Sequence, residues 1–241
     1  MEIQAENLSF RQVNQQIRSS GESQVNVYGC CGHRFLADGL SDKRVDVYGT
    51  PGNALGAYLN GASIYVHGNA QDAVGDTMND GIISIDGMAG DAVGYAMRGG
   101  KIFVHGDIGY RAGIHMKEYR EKQPLLIAGG RAGSFLGEYQ AGGTIVVLGL
   151  HGDEQTPPVG NFCSVGMHGG RLYLRTRTLP ADLPERLIVR EAGDEEMKPI
   201  LPALKEFCEL FSEDLDEVLA CPFQLITPDS RNPYKQLYAA Y

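Results

Sequence analysis

Ile83-Ser-Ile85-Asp-Gly87-Met-Ala-Gly90-Asp-Ala-Val-Gly94-Tyr-Ala-Met97-Arg-Gly99-Gly100 is one copy of a unit that recurs along most of the chain. Upstream, Ile64-Tyr-Val66-His-Gly68 leads to Gly75 and Met78; downstream, Ile102-Phe-Val104-His-Gly106 leads to Gly109, Gly113 and Met116. Val25-Asn-Val27-Tyr-Gly29, Val45-Asp-Val47-Tyr-Gly49, Leu125-Leu-Ile127-Ala-Gly129 and Ile145-Val-Val147-Leu-Gly149 open further copies. Their terminal glycines are 20, 19, 19, 19, 23 and 20 residues apart, and Leu172-Tyr-Leu174 reads as an eighth, glycine-less strand.

Each unit is a short strand, a tight corner, a second apolar stretch and a second corner. In the strand, residues i and i+2 are aliphatic while i+1 and i+3 are mostly polar or aromatic, the period of a strand with one buried face. The corner glycines Gly49, Gly52, Gly56, Gly68, Gly75, Gly87, Gly90, Gly94, Gly106, Gly109 and Gly113 are assigned a structural role, supplying φ > 0 without a steric penalty. One unit cannot bury its apolar side alone, but stacked units line a continuous core.

A left-handed hexapeptide helix needs an aliphatic residue every six positions, and from Ile64 that rule reaches Ala70 and then fails at Asp76. The calcium-binding nonapeptide helix needs Gly-x-Gly, which is absent. The expected fold is therefore all-β: a right-handed parallel β-helix of about seven coils, with a short N-terminal helix and a C-terminal helical cap. Residues 1–24 are read as the N-terminal cap, 25–178 as the β-helix, and 179–241 as the C-terminal cap and extended tail. Phe10, Val13 and Ile17 predict a helix over Ser9 to Ser20; Leu201, Leu204, Cys208 and Phe211, extended by Phe207 and Leu215, predict a second one covering the last coil. The stretch from Thr227 to Tyr241 is expected to be extended.

The chain has 241 residues, 30 of them Asp or Glu against 21 Lys or Arg, for a formal charge of -9. Such a balance opposes binding to nucleic acid or an anionic membrane. Five cysteines without regular spacing make no disulfide framework, and Met1 to Arg18 has no apolar signal core, so a cytoplasmic setting is expected.

The stretches Gly49-Thr-Pro-Gly52-Asn-Ala-Leu-Gly56, Gly68-Asn-Ala-Gln-Asp-Ala-Val-Gly75, Gly90-Asp-Ala-Val-Gly94 and Gly129-Gly-Arg-Ala-Gly133-Ser-Phe-Leu-Gly137 resemble the GXGXG domain, the C-terminal β-helix of the glutamate synthase large subunit. The resemblance spans about Val25 to Leu174. It implies a stand-alone, non-catalytic scaffold subunit in glutamate biosynthesis, and hence in nitrogen metabolism. Its implied partners are a class II glutamine amidotransferase subunit and an FMN-binding glutamate synthase-like subunit, with FMN and the iron–sulfur cluster carried on partners and no cofactor in this chain. The sequence is also similar to the β-helix subunit of formylmethanofuran dehydrogenase, which implies an alternative oxidoreductase complex. A free-standing β-helix enzyme is the rival from another class.

The residues offer no catalytic, cofactor or metal set of their own. Cys30, Cys31 and His33 are close in sequence, but zinc wants four ligands, and partly buried thiols at a corner is the preferred reading. Tyr48, His67, Asp86 and His105 are equivalent positions and should stack as a ladder, with a reactive His/Asp pair as the alternative. In the tail, Arg231, Tyr234 and Tyr238 are candidates for docking on a neighbouring subunit, either a partner or a second copy of this chain. A strap along the chain's own β-helix is the alternative.

Overall fold

A computed structural model describes every residue except 151, 154 and 230–241. The elements in chain order are β1 (Glu2–Gln4), α1 (Phe10–Ser19), β2 (Gln24–Cys31), β3 (Arg44–Thr50), β4 (Asn60–His67), β5 (Asp80–Ile85), β6 (Lys101–Val104) and β7 (Leu125–Ala128). There follow β8 (Ala141–Val147), β9 (Gly169–Arg175), β10 (Leu187–Glu191), α2 (Asp194–Met197), α3 (Leu201–Phe211), α4 (Leu215–Leu219) and β11 (Phe223–Pro228). The fold is sheet-dominated with few, short helices. Its single sheet runs β1 to β9 in sequence order, all parallel, and then β11 and β10 antiparallel. No helix among the described residues is long and apolar enough to cross a membrane.

Strand follows strand because each repeat returns its aliphatic pair to the same place. Val45, Ile64, Ile83 and Ile102 are in register, as are Val47, Val66, Ile85 and Val104, and all eight are fully buried. A second ladder of parallel bridges joins Ala70, Ala89, Ile108, Ala132 and Val159 in successive units. Between the two ladders, Leu55, Val74, Val93 and Ala112 and then Leu59, Met78, Met97 and Met116 point into the same core.

The unit opened by β7 departs from the expected register. Leu126 and Ala128, not Leu125 and Ile127, pair with Ile102 and Val104 and join the inner core. The cause is the Gly129-Gly130 doublet: Gly130, whose N–H donates to Gly106 O, is the true counterpart of Gly106. A one-residue slip reverses both faces of a strand, so Ile127 turns outward.

There it meets a second core. Phe103, Ile127, Val146 and Tyr173 face outward from β6 to β9, and Ala203, Leu204, Phe207 and Cys208 of α3 pack on them. The helix therefore lies on the outer face of the sheet, not over the last unit where its position after the repeat predicts it. Its buried side is also shifted: Leu201 and Phe211 are only half-buried. What covers β9 is β11, paired antiparallel with it, so Thr227 and Pro228 belong to a strand rather than to a free tail.

The N-terminal end is closed by Ile3, Ala5, Val13 and Ile17, all buried in the inner core. Ser9 caps α1 through a reciprocal arrangement with Gln12, as a Ser-x-x-Gln sequence favours. Asn14 does more than fill space. In successive units the N–H groups of Gly56, Gly75, Gly94, Gly113, Gly137 and Ser164 donate backwards to Leu36, Leu55, Val74, Val93, Ala112 and Leu136 O. Ala37, at the equivalent position of the first unit, has no earlier unit behind it, and Asn14 Oδ1 accepts its N–H at 2.9 Å. The far end is treated alike. The N–H groups of Phe35, Ala54, Ala73, Ala92, Arg111 and Phe135 donate forwards to the next unit, and that of Phe162 donates to Asp182 Oδ2 at 2.6 Å.

Asn14→Ala strands the buried Ala37 N–H and should cost about 1–3 kcal/mol in chemical unfolding. Asp182→Ala, at a solvent-exposed end, should cost less, because water replaces the carboxylate. Equal stabilities for Asn14→Ala and wild type would contradict this account of the cap.

Candidate functional site

The corner segment is built from residues that alternate in backbone hand. Ala54, Gly56 and Tyr58 have φ of 63°, 62° and 57°, and Ala73, Gly75 and Thr77 have 59°, 66° and 52°. Ala92, Gly94, Ala96 and then Arg111, Gly113, His115 repeat the pattern. The N–H groups of these left-handed residues go alternately to the unit after and the unit before, Ala54 to Asp72 O, Gly56 to Leu36 O and Tyr58 to Asp76 O.

The middle position of each triplet is glycine, and at Gly56, Gly75 and Gly113 the core itself leaves no room for a Cβ. A Cβ on Gly75 would lie 2.4 Å from Ile102 Cδ1, and one on Gly113 2.4 Å from Ile145 Cδ1. The outer two positions carry side chains of several kinds, Ala54 and Tyr58, Ala73 and Thr77, Ala92 and Ala96, Arg111 and His115. Gly49 also has positive φ, with its Cβ direction blocked by Cys30 O. The reading that all corner glycines serve positive φ fails at Gly52, Gly87, Gly90, Gly106 and Gly109. There the constraint is close approach, as a Cβ on Gly90 would sit 2.1 Å from Asp72 Oδ1 and one on Gly109 2.2 Å from Asp91 Oδ1.

Asp72 and Asp91 belong to one of two side-chain columns that sequence reasoning missed, the other holding Asn69 and Asp107. Asn69, Asp72, Asp91 and Asp107 each accept a backbone N–H of the following unit, from Met88, Asp91, Tyr110 and Arg131, at 2.7–3.0 Å. The recurrence of Asn or Asp directly after glycine at Gly68-Asn69, Gly90-Asp91 and Gly106-Asp107 was the available signal.

On the outer face of β2 to β5, Tyr28, Tyr48 and His67 stack at ring-centroid distances of 4.6 and 4.5 Å. The expected ladder holds through Asp86, whose Oδ2 is 3.0 Å from His67 Nδ1. Beyond it, His105 is engaged by the helical layer: Nε2 lies 2.7 Å from Glu213 Oε1, and the ring stacks on Phe211. Arg44 and Asp46, not singled out in the sequence, complete the cluster. Asp46 is outward-facing yet only 3% exposed. It is gripped by Arg44 through two contacts of 2.7 and 2.8 Å, by Gln24 at 3.1 Å and by His67 Nε2 at 3.3 Å. The Arg44 contact holds the Asp46 carboxyl below its usual range, against the opposing effect of burial. A carboxylate so fully engaged is a fixed anion rather than a free base.

Cys30, Cys31 and His33 are brought together but arranged as structure. His33 Nδ1 accepts the Cys31 N–H at 3.2 Å and Nε2 lies 3.0 Å from Leu8 O, so both ring nitrogens are in use. Burial pushes the Cys30 thiol up to about 11, which keeps it protonated near neutrality. Arg231, Tyr234 and Tyr238 lie outside the described residues.

Stacked, glycine-cornered parallel units with side-chain ladders along their edges define a repeat protein whose chemistry is chiefly backbone pairing. The GXGXG motif family model matches residues 11–226, and the chain belongs to that family. It is also 40% identical over 248 aligned positions to a protein of Methanocaldococcus jannaschii described as uncharacterized, the alignment covering 98% of this chain and 95% of that protein.

Two outcomes test the site. Gly75→Ala should destabilise more than Gly94→Ala, since both have positive φ but a Cβ on Gly94 meets nothing closer than 3.7 Å. Equal melting temperatures would contradict the role given to Ile102. Because the native Asp46 pKa is depressed, its stabilisation is present above the ordinary carboxylate range and lost as pH falls through the native value. Asp46→Asn should therefore be less stable near pH 7, and should lose less than wild type between about pH 5 and about pH 3. Parallel pH profiles for the two proteins would contradict the pairing.

Proposed function

We propose that this chain is the non-catalytic structural subunit of a glutamate synthase-type complex. It holds a class II glutamine amidotransferase subunit and a subunit carrying FMN and an iron–sulfur cluster. On this reading the stack is a right-handed parallel β-helix, and its length presents separate surfaces to the two partners. The observation that carries the proposal is the GXGXG family match across residues 11–226. The corner geometry supports it. The glycine-corner N–H groups that could cradle a phosphate are instead bonded to carbonyls of neighbouring units, so the repeat serves assembly of the stack.

Co-expression of this chain with the two partner subunits tests the reading. The expected result is one complex of fixed stoichiometry in which ammonia made from glutamine reaches the flavin subunit only when this chain is present. Partners that assemble and couple equally well without it would overturn the proposal. Association with pterin-bearing oxidoreductase subunits instead would favour the formylmethanofuran-type complex.

A further inference from the structure

The repeat is interrupted between Met116 and Leu126, where the chain carries extra residues before the next strand. In stacked-repeat proteins such insertions form loops on one face, often the binding face. This one closes on itself through paired Tyr119 and Lys122 backbone hydrogen bonds of 3.1 Å. It then folds back over two earlier units. Lys122 Nζ donates to Asn79 O at 3.2 Å and pairs with Asp80 at 2.8 Å, while its stem lies across Gly99, where a Cβ would be 3.0 Å from Lys122 Cβ.

The overhang encloses an open groove lined by Tyr58, Asn60, Asn79, Arg98, Tyr119 and Lys122. Four residues occupy one repeat position along its floor and beyond. The N–H groups of Asn60, Asn79, Arg98 and Lys117 donate to Leu40, Leu59, Met78 and Met97 O in successive units. Neighbouring members of such a column are separated by about 4.8 Å, the spacing of paired strands. The column therefore reads amide, amide, guanidinium, ammonium. Lys122 has its counter-ion in Asp80, but Arg98 and Lys117 have no ion-pair partner among the described residues. Two like charges in directly adjacent positions repel unless an anion lies between or beside them. Two tyrosines, 59% and 49% exposed, flank the same groove.

We propose that this groove is a binding site for a small planar anion of the mononucleotide class. Its phosphate lies at Arg98, within reach of Lys117, and its ring lies against Tyr58 and Tyr119. The guanidinium supplies a planar fork of donors that matches phosphate oxygens. Exposed tyrosine faces stack on heterocycles, and the Asn60 amide, with Asn79 Oδ1 as a further acceptor while its Nδ2 donates to Thr77 O at 3.1 Å, serves the ring edge. The site is independent of the scaffold role, and its failure would leave that role untouched.

Titration calorimetry of the full chain with AMP, adenosine and inorganic phosphate tests it. The expected result is saturable AMP binding, with adenosine and phosphate each at least about tenfold weaker, because each lacks one half of the recognition. Arg98→Gln should weaken AMP by about tenfold or more, and Tyr58→Ala should also weaken it, with melting temperatures unchanged. Arg131→Gln, away from the groove, should bind AMP like wild type. Absence of AMP binding at millimolar concentration overturns the proposal. So does phosphate binding as tightly as AMP, or unchanged AMP affinity in both groove variants.

Discussion

The structure depends on one constraint: within each corner, every second backbone N–H must point in turn to the unit ahead and the unit behind. A left-handed residue at every second position achieves this, and each non-glycine one costs roughly 1–2 kcal/mol. Ala54, Ala73, Ala92 and Arg111 bear that cost at successive units, since their N–H groups each bond forwards. At the middle position Gly56, Gly75 and Gly113 face Ile83, Ile102 and Ile145, which would collide with a Cβ. The ends follow from the same demand. A stack that bonds both ways leaves orphan donors at its termini, and Asn14 and Asp182 accept them.

The outer face is divided by chemistry. From β6 onwards its outward residues are Phe103, Ile127, Val146 and Tyr173, and α3 covers them. From β2 to β5 the corresponding side chains are Asn26, Asp46, Tyr65 and Ser84, which hold no apolar helix. There Arg44 lies 4.2 Å over the Tyr65 ring and neutralises Asp46 instead. The position of the helical layer is thus set by where the outward strand positions turn apolar.

The repeat, its strand pairs and the N-terminal helix were legible in the sequence because each is a short-range pattern of aliphatic spacing and glycine. The unit at β7 misled because Gly129 and Gly130 are adjacent, and only cross-unit pairing decides which of them matches Gly106. The closing of the last unit by β11 was illegible for a related reason. Leu201 to Phe211 reads as a helix wherever it packs, and Phe223 to Pro228 is too short to reveal a strand that returns antiparallel. Of the candidate site, the stacking of Tyr48 on His67 followed from repeat position. Asp46 did not, because its burial comes from Arg44 on its own strand and Gln24 and His67 on neighbouring ones.

Amide hydrogen exchange measures the central constraint most directly. If the corner N–H groups hold the stack together, Gly75, Ala92, Gly94 and Gly113 exchange as slowly as the strand amides of Ile85 and Val104. Exchange of those corner amides at the rates of exposed loops, with the strands still protected, would contradict the account.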